Sequence, residues 1–319
     1  MRQKNAGWML KCRKVRNYLL LAALLLAAPT IWGCGEGAPQ EDAGPIVVSS
    51  KTFAEAITMG EITAELLRER GYQVEDEIGL GEVAVIRPAI ESGQVDLYWE
   101  YTGTGLMNLM EYDQVVTDPE ETYRLVKEWD LENNDLVWLD YAPANNTFVL
   151  FVSQEVKEEH GWSKISQLAE YVGYGENELK IATPAEWTER KDGLPSFQEH
   201  YEFEFRDQDI EIVELGLAYE AVGQNLAHVG IGDATEGRLE YFNLTVLEDD
   251  KQFFPAYNPA PVIRREVLEI HPELEDLLRE LSSLFDVDTL IELNKKVAVE
   301  GRQPEDVARE FLEEKGLVE

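Results

Sequence analysis

Four histidines, two cysteines and 63 carboxylates are the residues of this 319-residue chain best equipped for catalysis or metal binding. Their spacing supports neither. No two of His160, His200, His228 and His271 stand at the short interval from which a metal site is built. His160 precedes a glycine and is expected to end a helix, and His271 precedes a proline and is expected to begin one. With 63 acidic side chains, pairs a few residues apart arise by chance, so none is singled out for acid–base work. Cys12 and Cys34 both fall near the N-terminus, which leaves the body of the chain no thiol for a nucleophile, a disulfide or a metal. The GLG at 79–81 and the GIG at 230–232 lack the Gly-Lys-Ser/Thr of a phosphate loop and the rest of a dinucleotide fingerprint. The expectation is a protein that is not an enzyme and carries no cofactor or metal.

Six short segments hold chemistry of another kind, supplying between them aromatic rings, hydroxyls and cations. They are 49–53 (SSKTF), 100–105 (EYTGTG), 142–148 (APANNTF), 189–195 (ERKDGLP), 233–238 (DATEGR) and 253–257 (FFPAY). Each is weak alone. In this order and at this spacing they resemble the glycine betaine/choline-binding proteins of ABC-type osmoprotectant importers, the ProX/OpuAC type, and within it the low-affinity osmoprotectant-binding branch. The resemblance runs from about Ile46 to the C-terminus. It implies an α/β, two-lobed periplasmic-binding-protein fold of type II, with two mixed sheets flanked by helices and a hinge of crossing strands. Lobe 1 would take 45–147 and 255–319, and lobe 2 would take 148–254.

The same resemblance implies a small quaternary-ammonium ligand, glycine betaine before choline or carnitine, handed to an ABC permease driven by a separate ATPase. A monomer is expected. Another small solute, such as an amino acid or a histidine-derived betaine, or a sensory role, is the alternative. A trimethylammonium group has a diffuse charge and no N–H to donate, so aromatic faces hold it, at roughly 0.5–2 kcal/mol per ring. A carboxylate at the other end of such a ligand needs cations and hydroxyls. Carried over by motif, Tyr101, Phe148 and Tyr257 form the aromatic cage, and Lys51, Thr104 and Arg190 hold the carboxylate. From the residues alone, Tyr101 and Phe148 are equally compatible with core positions at strand ends. Where the family usually has an aromatic residue before its Thr-Asp/Glu-Gly stretch, this chain has Asp233. Two readings stay open: Asp233 faces the cation as one wall of the cage, or it turns onto a local donor and leaves three walls. Trp99, Trp138 and Trp187 are assigned to packing.

The elements that must position these residues follow from periodicity and punctuation. Strands are expected at 46–48, 95–98, 136–139, 148–152, 179–182 and 229–231. Helices are expected at 53–70, stopped by Gly71, and at 83–91. Asp118-Pro119-Glu120-Glu121 joins an N-cap, a first-turn proline and a glutamate three places on, a strong helix start. Asp288 and Pro304 are expected to open helices at 289–299 and 305–315. Alternating strands and helices argue for α/β architecture.

The N-terminus differs from the rest. Six basic residues and no acid precede an apolar run at 18–28, about the length of a signal-peptide core and shorter than the ~20 residues a spanning helix needs. Ile31-Trp32-Gly33-Cys34 follows and resembles a lipobox, which implies a signal peptide at 1–33, a lipid on Cys34 and a flexible tether at 34–44. An uncleaved anchor helix is the alternative. Either places the rest of the chain outside the cell membrane, held to its outer face. The net charge is −35 and becomes more negative once the basic leader is removed. Nucleic acid is excluded as a partner for such a surface. Adaptation to high external salt and a merely solubilising surface are both open readings of the charge.

Overall fold

The computed structural model describes residues 44–173, 179–190 and 193–318. The leader, Cys34 and the tether up to residue 43 lie outside the described residues. Two five-stranded mixed sheets form the frame. The first contains β1 (Ile46–Ser49), β2 (Val74–Glu77), β3 (Leu97–Tyr101), β4 (Leu136–Trp138) and β10 (Pro259–Arg264), in the order β2-β1-β3-β10-β4. The second contains β5 (Phe148–Ser153), β6 (Ile181–Thr183), β7 (Ile210–Ile212), β8 (Val229–Asp233) and β9 (Leu244–Val246), in the order β7-β6-β8-β5-β9. Each has three parallel strands, then an antiparallel strand in fourth place: β10 in the first sheet, β5 in the second.

Those two antiparallel strands are the ones that follow the connections between sheets. Residues 139–147 lead from β4 into β5, and 254–258 lead into β10. The connections run beside each other, with Asn146 N–H donating to the Tyr257 carbonyl (3.0 Å) and Ala142 N–H to that of Pro259 (2.8 Å). They are extended but make no regular ladder, so the hinge consists of paired extended segments rather than true strands.

Helices cover both faces of each sheet, as mixed sheets with parallel cores require. Ala54–Glu69, Val287–Ala298 and Pro304–Glu314 bury one face of the first sheet around Met59, Ile62 and Phe311. Val83–Glu91 and Pro119–Asn134 cover the other around Ile86, Val126 and Trp138. Ile165–Gly173 and Leu194–Tyr201 pack on one face of the second sheet, and Leu215–Gly223 on the other. With both faces covered, all five residues of β3 are buried, which is why it reads as an unbroken apolar and aromatic run.

The expected helix starts hold where the cap chemistry was complete. The Asp118 carboxylate accepts from Glu121 N–H (2.8 Å) and Pro119 begins the helix. The second-last helix start shifts: Asp286, not Asp288, is the cap, accepting from Thr289 N–H (2.8 Å), so the helix runs 287–298. His160 ends its helix before a left-handed Gly161, as expected. His271 instead closes the helix Arg265–Ile270, its N–H returning to the Val267 carbonyl (2.8 Å). The strand expected from 95 begins at 97, because the Val95 N–H is still tied to the Ala89 carbonyl of the preceding helix (3.2 Å).

Strand β10 carries Pro259 and Pro261 in the middle of a sheet, where proline normally argues against a strand. In an antiparallel pair the N–H and C=O of one residue point the same way. Both prolines point toward the irregular connection after β4, which donates to their carbonyls from Ala142 and Leu139 (2.8 and 2.9 Å) and asks no N–H of them.

Candidate functional site

The parallel strands of both sheets end at one place, the position where open α/β sheets gather ligands. Beyond β1, Ser50 Oγ accepts from Gly79 N–H (2.9 Å) and donates to the Lys51 carbonyl (2.8 Å), fixing the turn that aims Lys51. Tyr101 is the last residue of β3, and Thr104 ends the short helical turn that follows. Asp233 is the last residue of β8 and lies in register with Phe148, the first of β5. Arg190 follows the helix Ala185–Glu189 that leaves β6. Tyr257 sits on the second connection, its N–H held by Asn145 Oδ1 (2.8 Å). A Cβ on Gly103 would stand 2.5 Å from the Tyr257 ring, so only glycine lets that ring lie against the backbone beside Thr104.

All seven residues singled out in the sequence, Lys51, Tyr101, Thr104, Phe148, Arg190, Asp233 and Tyr257, line one cavity of about 380 Å³. That volume is at the small end of the range for small-molecule sites. Phe148 meets Tyr257 edge to face at 5.6 Å, and Phe53 tilts against Tyr101 at 5.7 Å.

The cations of the site already have partners. Lys51, almost fully buried, pairs with the fully buried Glu100, and its ammonium lies 5.1 Å from the Tyr101 ring centre. Glu100 also accepts from the Tyr98 hydroxyl (3.0 Å) and Tyr101 N–H (2.7 Å). Arg190 pairs with Glu186 (3.0 Å), stacks over the Phe148 ring at 5.3 Å and reaches the Tyr257 hydroxyl at 3.5 Å.

Asp233 is different. Its carboxyl oxygens take no hydrogen bond or ion pair from any described residue, while its backbone N–H donates to the Tyr219 hydroxyl (2.6 Å). Burial pushes its carboxyl up to about 8, with the Glu55 and Glu236 charges adding to the rise and Arg190 opposing it. Of the two readings of Asp233, a local donor has no candidate among the described residues; the side chain lines the cavity.

Several contributors escaped the sequence reading. Phe53 and Asn146 lay inside the recognised segments but carried no signal of their own. Trp187, assigned to packing, is buried yet walls the cavity, and its indole N–H has no partner among the described residues. Glu55 is the least legible. On a buried helix face, its Oε1 accepts from the Tyr101 hydroxyl (2.8 Å) and Asn146 Nδ2 (2.9 Å). Its Oε2 accepts from the Thr235 hydroxyl (2.5 Å) and Asn294 Nδ2 (2.8 Å). One carboxylate thus joins both sheets' loops and the connection between them. Burial and Glu55 together hold the Tyr101 phenol far above its ordinary pKa, so it remains a donor. Among the described residues no group of three or more His, Cys, Asp or Glu is arranged to hold a metal ion.

Residues 44–314 match the family described as OpuAC, the substrate binding domain of ABC-type glycine betaine transport systems. The chain is 37% identical over 306 residues to the glycine-betaine-binding protein of Pseudomonas aeruginosa, covering 94% of this chain and 96% of that protein. It is 34% identical over 284 residues to the glycine betaine-binding protein YehZ of Escherichia coli, covering 87% and 93%. The solved structure of ligand-free YehZ superposes with a TM-score of 0.68 at 32% identity, covering 86% of this chain and all of that one.

Proposed function

This chain belongs to the OpuAC family of substrate-binding domains of ABC-type glycine betaine transport systems, and from that premise we propose that it captures a quaternary-ammonium solute between its two sheets. Its fold is that of a type II periplasmic binding protein, and its role is binding outside the cytoplasm rather than catalysis. Glycine betaine is the ligand for which the two relatives are named, and it is the first candidate here.

The observation that carries the reading is the convergence of Phe53, Tyr101, Phe148 and Tyr257 on one cavity beside a carboxylate with no donor among the described residues. Ring faces and Asp233 together suit a methylated cation, which cannot be held by directed hydrogen bonds. Thr104 and Arg190, the latter also paired with Glu186, are the groups within reach of a ligand carboxylate, while the Lys51 ammonium has its charge matched by Glu100 and contributes to the wall of the site. The Cys34 lipid, the monomeric state and lobes at 45–147 with 255–319 and at 148–254 complete the proposal. In it, ligand bridges the lobes, shifts the population toward the closed form, and that form docks on the permease, which a separate ATPase drives.

Calorimetric titration with glycine betaine and choline tests the reading. Saturable binding without turnover is expected, and Tyr101→Ala or Tyr257→Ala should each weaken it by roughly 2- to 30-fold, the equivalent of about 0.5–2 kcal/mol per ring. Unchanged affinity in both variants would remove the cage assignment.

A further inference from the structure

Among the described residues, both cations that line the cavity are matched by carboxylates, Lys51 by Glu100 and Arg190 by Glu186. Three acidic side chains of the same lining, Glu82, Glu214 and Asp233, make no ion pair with any described residue. Glu82 and Glu214 are exposed at the mouth, one from each sheet's loops, whereas Asp233 lies inside against Phe148. A ligand carboxylate entering here meets cations already paired and acids that have no cation among the described residues. A ligand that is only a cation meets the reverse.

Resting on the reading of the cavity as a quaternary-ammonium site, we infer that Asp233 makes it select an ammonium ligand without a carboxylate over a zwitterionic one. The groups facing Asp233 come from every side. Glu55 lies in the first turn of the helix Ala54–Glu69, Glu82 in the loop before Val83–Glu91, Glu236 in the turn after β8, and Arg190 in the segment after β6; the phenols of Tyr101 and Tyr219 stand near, raised first by burial and then by neighbouring carboxylates. Arg190 opposes the rise and is shared with Glu186; among the other described cations nearby, Arg238 pairs with Glu236 and Lys51 with Glu100. The carboxyl therefore holds a proton up to about pH 8 in the empty site, and a bound cation displaces it. Affinity for a monocation rises as pH increases through that value, while a zwitterion, which sets its own carboxylate among these acids, gains less.

Choline and glycine betaine share a trimethylammonium head and differ in a hydroxyl against a carboxylate, and neither titrates near neutrality. Calorimetry at constant ionic strength compares them at pH 6 and pH 9. The wild-type protein is expected to bind choline at least about 10-fold tighter than glycine betaine at pH 9, with a smaller ratio at pH 6. Asp233→Asn should weaken choline about 10-fold, weaken glycine betaine by a smaller factor so that the ratio falls, and abolish the pH dependence. Glycine betaine bound tighter than choline at pH 9, with a ratio unmoved by Asp233→Asn, overturns the inference and leaves the quaternary-ammonium reading intact. No saturable binding of choline, glycine betaine or tetramethylammonium by the wild-type protein overturns both. If circular dichroism shows the variant misfolded, the wild-type ratio decides, and a ratio equal at pH 6 and pH 9 overturns the inference.

Discussion

Thr235→Val isolates the contact through which the two sheets grip one another. The Thr235 hydroxyl, fully buried at the end of the loop after β8, donates to Glu55 Oε2 at 2.5 Å from across the cleft. Valine keeps the shape and removes the donor. A hydrogen bond to a charged group contributes about 1.5–3 kcal/mol. Oε2 keeps Asn294 Nδ2 at 2.8 Å, so the carboxylate is not orphaned and the lower half of that range applies. If ligand engages the form in which this bond is made, a loss of about 1.5–2 kcal/mol weakens apparent affinity by roughly 10- to 30-fold. Calorimetry with glycine betaine or choline reads the affinity, and thermal unfolding of the ligand-free protein reads the stability. Thr235→Ser, which retains the hydroxyl, should bind within about threefold of wild type by the same arithmetic. Equal affinity in Thr235→Val together with a lowered melting temperature would refute the reasoning, because it would make the bond a fixed part of the fold rather than a consequence of closure.

Lys51→Met should destabilise the protein by about 3–5 kcal/mol in urea titrations, since it leaves the fully buried Glu100 charged without its partner. The double variant Lys51→Met, Glu100→Gln should recover a large part of that loss; no recovery would mean that the pair is not the cause. Glu61→Gln addresses pH. Burial first, then the Glu305 and Asp76 charges, raises the Glu61 carboxyl to about 7, so the folded chain holds a proton that the unfolded chain has released. That arrangement withdraws stability as pH rises from about 4 to about 7. The variant is accordingly expected to unfold at higher urea than wild type at pH 8, with the gain gone below pH 4; a gain equal at both ends would refute the assignment. Gly103→Ala places a methyl group 2.5 Å from the Tyr257 ring, and the expected outcome is a displaced ring and at least severalfold weaker ligand binding by calorimetry. An unchanged dissociation constant would show that the ring's seat on residue 103 does not matter.

The dense acidic surface also has a place in this picture. Exposed carboxylates at the mouth from both sheets' loops, on a chain of net charge −35, draw cations toward the cleft and do so less at high salt. The field acts on encounter, whereas Asp233, half-buried beside Phe148, acts on the bound state.

What the sequence determined by itself was local. Asp118-Pro119 opens its helix because cap, proline and the first-turn N–H groups lie within four residues of each other. Strands β5 and β8 are legible because their burial on both faces leaves continuous apolar runs. The segments holding Tyr101, Phe148, Asp233 and Tyr257 could be recognised by order and spacing. Edge strands such as β2 (VEDE) were not legible, since exposed, charged edges carry no alternation. Neither was β10, whose prolines are tolerated only because an irregular neighbour faces them. Tertiary structure alone decided the partners: that Glu100 takes the charge of Lys51, that Asp233 faces the cavity with no donor among the described residues, and that Glu55 collects four donors from residues up to 239 positions away. A side chain's type states which bonds it is able to make, but which of them it makes depends on the groups that folding brings within about 3 Å, and sequence distance carries no record of that.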